Sequence, residues 1–154
     1  LKPAPKGIER SSRSSPAKNF MTTQNYRLYS LTNYYLSSLQ KGLQTAHVVS
    51  EMASKEHANA FTRPVKKAFR QWTDEDKTII MLNGGNNANI KEWAKYFEKF
   101  SDRYPTAWFQ EDDDSLAGAY TAAGIVLPWA VYSGNGVGAD AELYEKLSKL
   151  SLAV

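Results

Sequence analysis

The chain has 154 residues, no cysteine and a formal charge of +3. That is one domain's length, enough to bury a core unaided, and the missing cysteine excludes disulfide frameworks, thiolate nucleophiles and Cys-based zinc sites. No apolar run approaches the roughly 20 residues of a membrane-spanning helix and none marks a signal peptide, so the expected setting is cytoplasmic, with no membrane partner.

The charge is unevenly placed. Residues 1 to 20 hold five of the 19 basic residues and one of the 16 acidic ones, which leaves 14 basic against 15 acidic from residue 21 onward. Basicity therefore belongs to a leader rich in Ser, Pro and Lys, too poor in large apolar side chains to offset its ordering entropy. The expected organisation is a disordered basic leader or upstream remnant over residues 1 to 20, then a single α/β domain over residues 21 to 154.

Taken in chain order, Tyr26, Leu28, Tyr29 and Leu31 mark a first strand over residues 25 to 32. From Leu36 to about Ala58 the spacing turns helical, with Leu36, Leu39, Leu43, Ala46, Val49 and Met52 as the stripe expected to face the core and Asn33 or Ser37 as cap. Gly42 inside this helix costs about 1 kcal/mol relative to Ala and suggests close packing or close ligand approach. A basic connector, Thr62 to Trp72, has Pro64 placed for a first helical turn. Lys77 to Leu82 reads as a buried central strand, followed by the turn Asn83-Gly-Gly-Asn-Asn.

Ile90, Trp93, Phe97 and Phe100 predict an amphipathic helix with an aromatic face on the sheet. Thr106 to Gln110 reads as a third strand and Ala119 to Val131 as a fourth, with Pro128 ending its pairing. A Gly-rich loop, Ser133 to Gly138, leads into a last helix over Ala139 to Leu152. Strands alternating with helices predict a small three-layer α/β/α sandwich around a mixed, mostly parallel four-stranded sheet.

Several patterns bear on chemistry. Gln40, Gln44, His47 and Glu51 recur at helical spacing on a polar face of the first helix, with Lys41 at the border of the apolar stripe. Spacing alone favours a solvated or half-buried polar face. His57 reads as a surface residue. Glu111-Asp-Asp-Asp-Ser115 gathers four carboxylates that repel one another. It is either an exposed acidic turn, a water-orienting carboxylate, or a site for a hard cation such as Mg²⁺. The Asn83-Gly-Gly-Asn-Asn turn has the placement of an anion holder at a helix start but lacks the Gly-Lys-Ser/Thr ending of a P-loop. Arg63, Lys67 and Arg70 share a helical face, a modest positive stripe suited to phosphate.

In order and spacing, these segments resemble the type 2 peptidyl-tRNA hydrolase family in divergent form, from about Tyr26 to Trp129. Leu39-Gln-Lys-Gly-Leu-Gln-Thr-Ala-His47 is similar to that family's helix opening, in which a Gly-Lys-Gly-Lys element precedes Gln, two residues and His. Trp72 before Lys77-Thr-Ile-Ile-Met-Leu82 matches its Trp and Lys-led strand. Glu111-Asp-Asp-Asp-Ser115, Gly118, Thr121 and Gly124-Ile-Val-Leu-Pro128 resemble its Asp-Ala-Gly-x-Thr segment and following strand. Only one Lys of the helix opening remains, and the Asp-Ala-Gly-x-Thr centre has become acidic. The divergent form looks like a phage-encoded member.

The resemblance implies hydrolysis of the ester joining a peptide to the 3′ ribose of tRNA. Glu111 or Asp112 would orient or deprotonate water, Lys41 would offset oxyanion charge, and Gln44, His47 and Ser115 would position ester and ribose. Arg63, Lys66, Lys67 and Arg70 would contact tRNA phosphates. No metal or organic cofactor is implied. The expected partner is tRNA or peptidyl-tRNA; alternatively the scaffold is a non-catalytic module that binds a protein through its acidic loop and basic connector. A homodimer is compatible with either.

Overall fold

The structure, a computed structural model, describes residues 25–112 and 118–153. The leader, Met21 and Asp113 to Ser115 lie outside the described residues. Strand β1 spans Tyr26–Asn33, helix α1 Ser38–His57 and helix α2 Arg63–Gln71. A π-helical turn over Trp72–Asp76 leads into strand β2, Thr78–Gly85. Helix α3 covers Asn87–Glu98, strand β3 Thr106–Gln110, strand β4 Tyr120–Pro128, the one-turn helix α4 Trp129–Tyr132 and helix α5 Ala139–Ser148.

The strands form a four-stranded sheet in the order β2-β1-β4-β3. Alternation along each strand sends side chains to two cores. Leu28, Ala122 and Val126 meet Val48 and Met52 of α1 and Phe69 and Trp72 beyond it. Leu31, Ala123, Ile125 and Leu127 meet Ile90, Ala94 and Phe97 of α3 and Leu143 and Leu147 of α5. Helices therefore cover both faces, and the α/β/α sandwich with a mixed sheet is as expected.

Strand position and direction differ from expectation: β2, expected as a buried central strand, is an edge strand whose first residues are exposed. Only β1 and β2 run parallel, while β4 is antiparallel to both β1 and β3. A parallel crossover needs a dozen or more residues. The stretch from β3 to β4 is shorter than that, so the two strands form a hairpin and β4 enters beside β1 in the opposite sense.

Close approach of α1 depends on Gly124. A Cβ at that position would lie 2.6 Å from Val48 Cγ1 and 3.2 Å from Leu28 Cδ1, closer than packed carbons tolerate. Gly42, by contrast, has nothing within 4 Å of a Cβ position, so packing gives no reason for it.

The face assignment of α1 is the main correction to the sequence reading. Leu39 and Leu43 are 74% and 54% exposed, whereas Lys41, Thr45, Val48 and Met52 are the buried residues of this helix. The cause lies in the sheet beneath it. Toward the carboxyl end of β1 the residues that face α1 are polar, and Thr45 Oγ1 lies 2.8 Å from Ser30 Oγ in a buried hydrogen bond. A polar surface there is complemented by a polar stripe on the helix, which turns the leucines outward.

The ends of the elements follow local chemistry. Ser37 is the N-cap of α1 in a reciprocal capping box with Gln40, and Asn86 caps α3 the same way with Asn89. Gly85, at φ +97°, supplies the left-handed residue that turns β2 into that cap. The last helix ends at Ser148 rather than Leu152; Ser151 to Ala153 instead pair with the outer edge of β2, where Asn83 N–H donates to Ser151 O and Ala153 N–H to Met81 O. That strap covers an otherwise open sheet edge.

Candidate functional site

Two irregularities lie at the same end of the sheet. Pairing of β1 with β2 steps from Thr32↔Asn83 to Asn33↔Gly85, and pairing of β3 with β4 steps from Phe109↔Ala122 to Gln110↔Tyr120. Gly84 and Thr121 are thus the extra residues of two bulges. Bulges re-aim side chains and are frequent beside active sites. Here the second bulge turns Thr121 toward α1, where its Oγ1 donates to Gln44 Oε1 at 2.8 Å.

Gln44 is held at both ends, for its Nε2 donates to Glu111 Oε2 at 3.2 Å. A carboxylate can only accept and the Thr121 hydroxyl supplies the complementary donor, so the orientation of the amide is determined. One helical turn earlier, buried Lys41 donates from Nζ to Asn83 Oδ1 at 3.3 Å. Asn83 Nδ2 donates in turn to Ser151 Oγ of the C-terminal strap at 3.1 Å. Near the start of α1 the helix thus carries two hydrogen-bonded sets one turn apart, Lys41 with Asn83 at the β2 edge and Gln44 with Thr121 and Glu111 toward the β3 edge.

Polar atoms without partners mark the same edge. Thr32 Oγ1 and Asn33 Oδ1 are buried with no hydrogen-bond partner among the described residues. Asn33 Nδ2 is used, donating to Asn87 Oδ1 at 2.7 Å, an oxygen that also accepts from Tyr35 Oη. Buried orphan acceptors cost stability, and their retention beside a polar cluster is a feature of functional sites.

Of the residues singled out from sequence, Gln44 and Glu111 are hydrogen-bonded to each other, and Lys41 lies one helical turn before Gln44. His47 is exposed and its ring stacks on Phe109, with centroids 4.0 Å apart and planes 6° from parallel, beside Glu111 on β3's continuation. Asp112 follows Glu111 with its side chain exposed, and its carbonyl accepts from Gly118 N–H. Ser115 lies outside the described residues. His57 is exposed, as expected. Among the described residues no three His, Asp or Glu side chains group to hold a metal ion.

The basic set is a separate feature. Arg63, Lys66, Lys67 and Arg70 border a groove of about 430 Å³ on α2 that also takes in Asp74 and Glu75. Arg70 bonds Glu56 Oε2 through Nη2 at 2.8 Å and Nε at 2.9 Å, and Lys66 approaches the same oxygen at 3.8 Å. Fifteen residues of α1 separate Glu56 from Lys41. At 1.5 Å per residue the stripe is about 22 Å from the cluster along that helix.

Asn83, Thr121 and Phe109 join the cluster although residue pattern placed them in a turn and two strands. Thr121 had a signal in the family resemblance and Asn83 in its turn, read as an anion holder, but neither the bond from Lys41 to Asn83 nor the ring of Phe109 against His47 was legible, because both depend on pairing across the sheet. No helix among the described residues is long and apolar enough to cross a membrane. No known family model matches the chain, and no curated protein matches it in sequence.

Proposed function

We propose that the cluster at the carboxyl ends of β1 and β2 hydrolyses the ester between a peptide and the 3′ ribose of tRNA. The observation that carries this reading is Gln44 bridging Glu111 and Thr121, one turn from the buried Lys41. Water would add to the ester carbonyl while Glu111 accepts its proton. Lys41 would offset charge on the tetrahedral oxygen, and the 3′ ribose oxygen would leave with a proton. Glu111 takes the base's role in preference to Asp112 because its carboxylate is anchored to α1, whereas the Asp112 side chain is exposed. Thr121 and Gln44 would hold the carboxylate in place, and His47 with Phe109 would offer a flat surface to the substrate. Arg63, Lys66, Lys67 and Arg70 would meet phosphates of the RNA body; Glu56, shared by Arg70 and Lys66, reduces what those two can contribute.

Deacylation of a blocked aminoacyl-tRNA tests the proposal. Wild-type turnover should resist chelator, and Glu111→Gln should lower the rate about 10²–10⁴-fold without unfolding the protein. Absence of wild-type turnover, or unchanged turnover in Glu111→Gln, would overturn it.

A second reading, a protein-binding module, is favoured by one observation: Tyr35, Leu39 and Leu43 are all at least half exposed around the start of α1. An inactive wild type whose self-association or partner capture is abolished by Leu43→Asp would favour that reading.

A further inference from the structure

A second cleft opens across the sheet edge from the cluster, between the end of β2, α3 and α5, with a volume of about 590 Å³. That lies within the range of about 300–1,000 Å³ typical of small-ligand clefts. Its walls combine three kinds of group. Tyr34, Trp93 and Tyr96 give aromatic surface, Lys146 and Lys149 give positive charge, and Asn83 gives an amide shared with the Lys41 cluster. Glu92 is the acidic group in the lining.

The aromatic wall is prepared rather than incidental. Trp93 and Tyr96 meet edge to face at 5.8 Å, and Lys146 Nζ lies 5.1 Å from the centre of the Tyr96 ring. Tyr34 is 62% exposed at the mouth, although its backbone is tied to Gly85 by an N–H···O bond of 3.0 Å. Tyr96 Oη is buried with no hydrogen-bond partner among the described residues. Burial, aided by the Glu142 carboxylate, holds the Tyr96 pKa above its ordinary value, so that hydroxyl stays a donor.

Flat rings beside lysines are the elements with which proteins take single-stranded nucleic acid, the base stacking on the ring and the phosphate meeting the cation. We propose that this cleft binds the terminal nucleotide of a single-stranded RNA 3′ end, its base against Tyr34 and Trp93 and its phosphate on Lys146 and Lys149. The carboxylate of Glu92 offers an acceptor for an exocyclic amine of the base. Asn83 lines the cleft on one side and holds Lys41 on the other, which makes it the link between the cleft and the cluster. The assignment of the 3′ end rests on the ester-hydrolase reading; the cleft's capacity for a nucleotide does not.

Binding of an unesterified RNA tetranucleotide ending in CCA, followed by calorimetry with AMP and a DNA tetranucleotide as comparators, tests the inference. Wild type should bind the RNA, and AMP should compete with it for the cleft. Lys146→Glu/Lys149→Glu and, separately, Tyr34→Ala should each weaken binding about tenfold or more, with melting temperatures near wild type, since all three side chains are at the surface. No binding of the RNA, or RNA binding insensitive to the cleft variants, would overturn the proposal. Binding without turnover of the ester would leave the cleft standing and sink the hydrolase; turnover with an unaltered KM in the cleft variants would do the reverse.

Discussion

Helices α1 and α3 flank the same sheet, yet only one obeys its own periodicity. In α3 the residues that recur at helical spacing, Ile90, Ala94 and Phe97, are the buried ones, and its aromatic face meets Leu31, Ile125 and Leu127. In the first half of α1 the relation is inverted, with Leu39 and Leu43 outside and Lys41 and Thr45 inside. The difference teaches that a polar sheet surface can override apolar spacing on the helix above it. A buried lysine costs desolvation that an apolar residue of similar length avoids. Lys41 and Thr45 lie above the polar stretch of β1, where Ser30 bonds Thr45, and that stretch turns the half-helix.

The comparison can be broken most directly in α3. Phe97→Ala should lower unfolding free energy by about 3–5 kcal/mol in chemical denaturation, because a nearly inaccessible ring leaves a cavity. On the α1 side, Gly124→Ala should cost about 1–3 kcal/mol by forcing fully buried Val48 away from β4. The same variant should reduce turnover, since α1 carries Lys41 and Gln44. Unchanged stability would mean that α1 is not seated as tightly as its contact with β4 indicates.

Lys41→Met sharpens the contrast between core and site. Unfolding free energy should change by about 1 kcal/mol or less, because relief of the buried ammonium's desolvation offsets the hydrogen bond lost at Asn83 Oδ1, while deacylation is lost. A drop of several kcal/mol would make Lys41 a structural residue.

Alkaline titration probes the α3 and α5 layer. Burial, together with the hydrogen bond from Tyr104 Oη to Asp140 Oδ2 at 2.7 Å, raises the Tyr104 pKa above its ordinary value of 10.0. Below about pH 10 both folded and unfolded chains hold the proton and the contribution is fully present. Above it the unfolded chain loses its proton first, so stability should decline as pH rises through that point. Tyr104→Phe should flatten the decline in a pH series of denaturation midpoints; an unchanged slope would show that Tyr104 is not responsible.

The smallest effect is expected where sequence periodicity promised a large one. Leu43→Ala, a core truncation by spacing alone, should stay within about 0.5 kcal/mol of wild type because the side chain is more than half exposed. A loss of 2 kcal/mol or more would restore the periodic assignment and undo the comparison.

Local chemistry was sufficient for most of the elements, though the strand expected over Ala119 to Val131 stops at Pro128, where Trp129–Tyr132 turns helical. Strand-prone runs, the Ser37 cap, the turn after Leu82 and the aromatic stripe of α3 each depend on neighbours within a few residues, so they are legible in the chain. Lys41, Gln44 and Glu111 were legible as candidates because their types and spacing resemble a known family. The bond between Gln44 and Glu111 was not, since they are 67 residues apart and meet only through the sheet. Strand order and direction, the bulge that aims Thr121, the strap that holds Asn83 and the inward turn of Lys41 were decided by tertiary structure alone. The physical reason is common to all four: each minimises unpaired polar surface across elements distant in sequence, and no local pattern carries the identity of a distant partner.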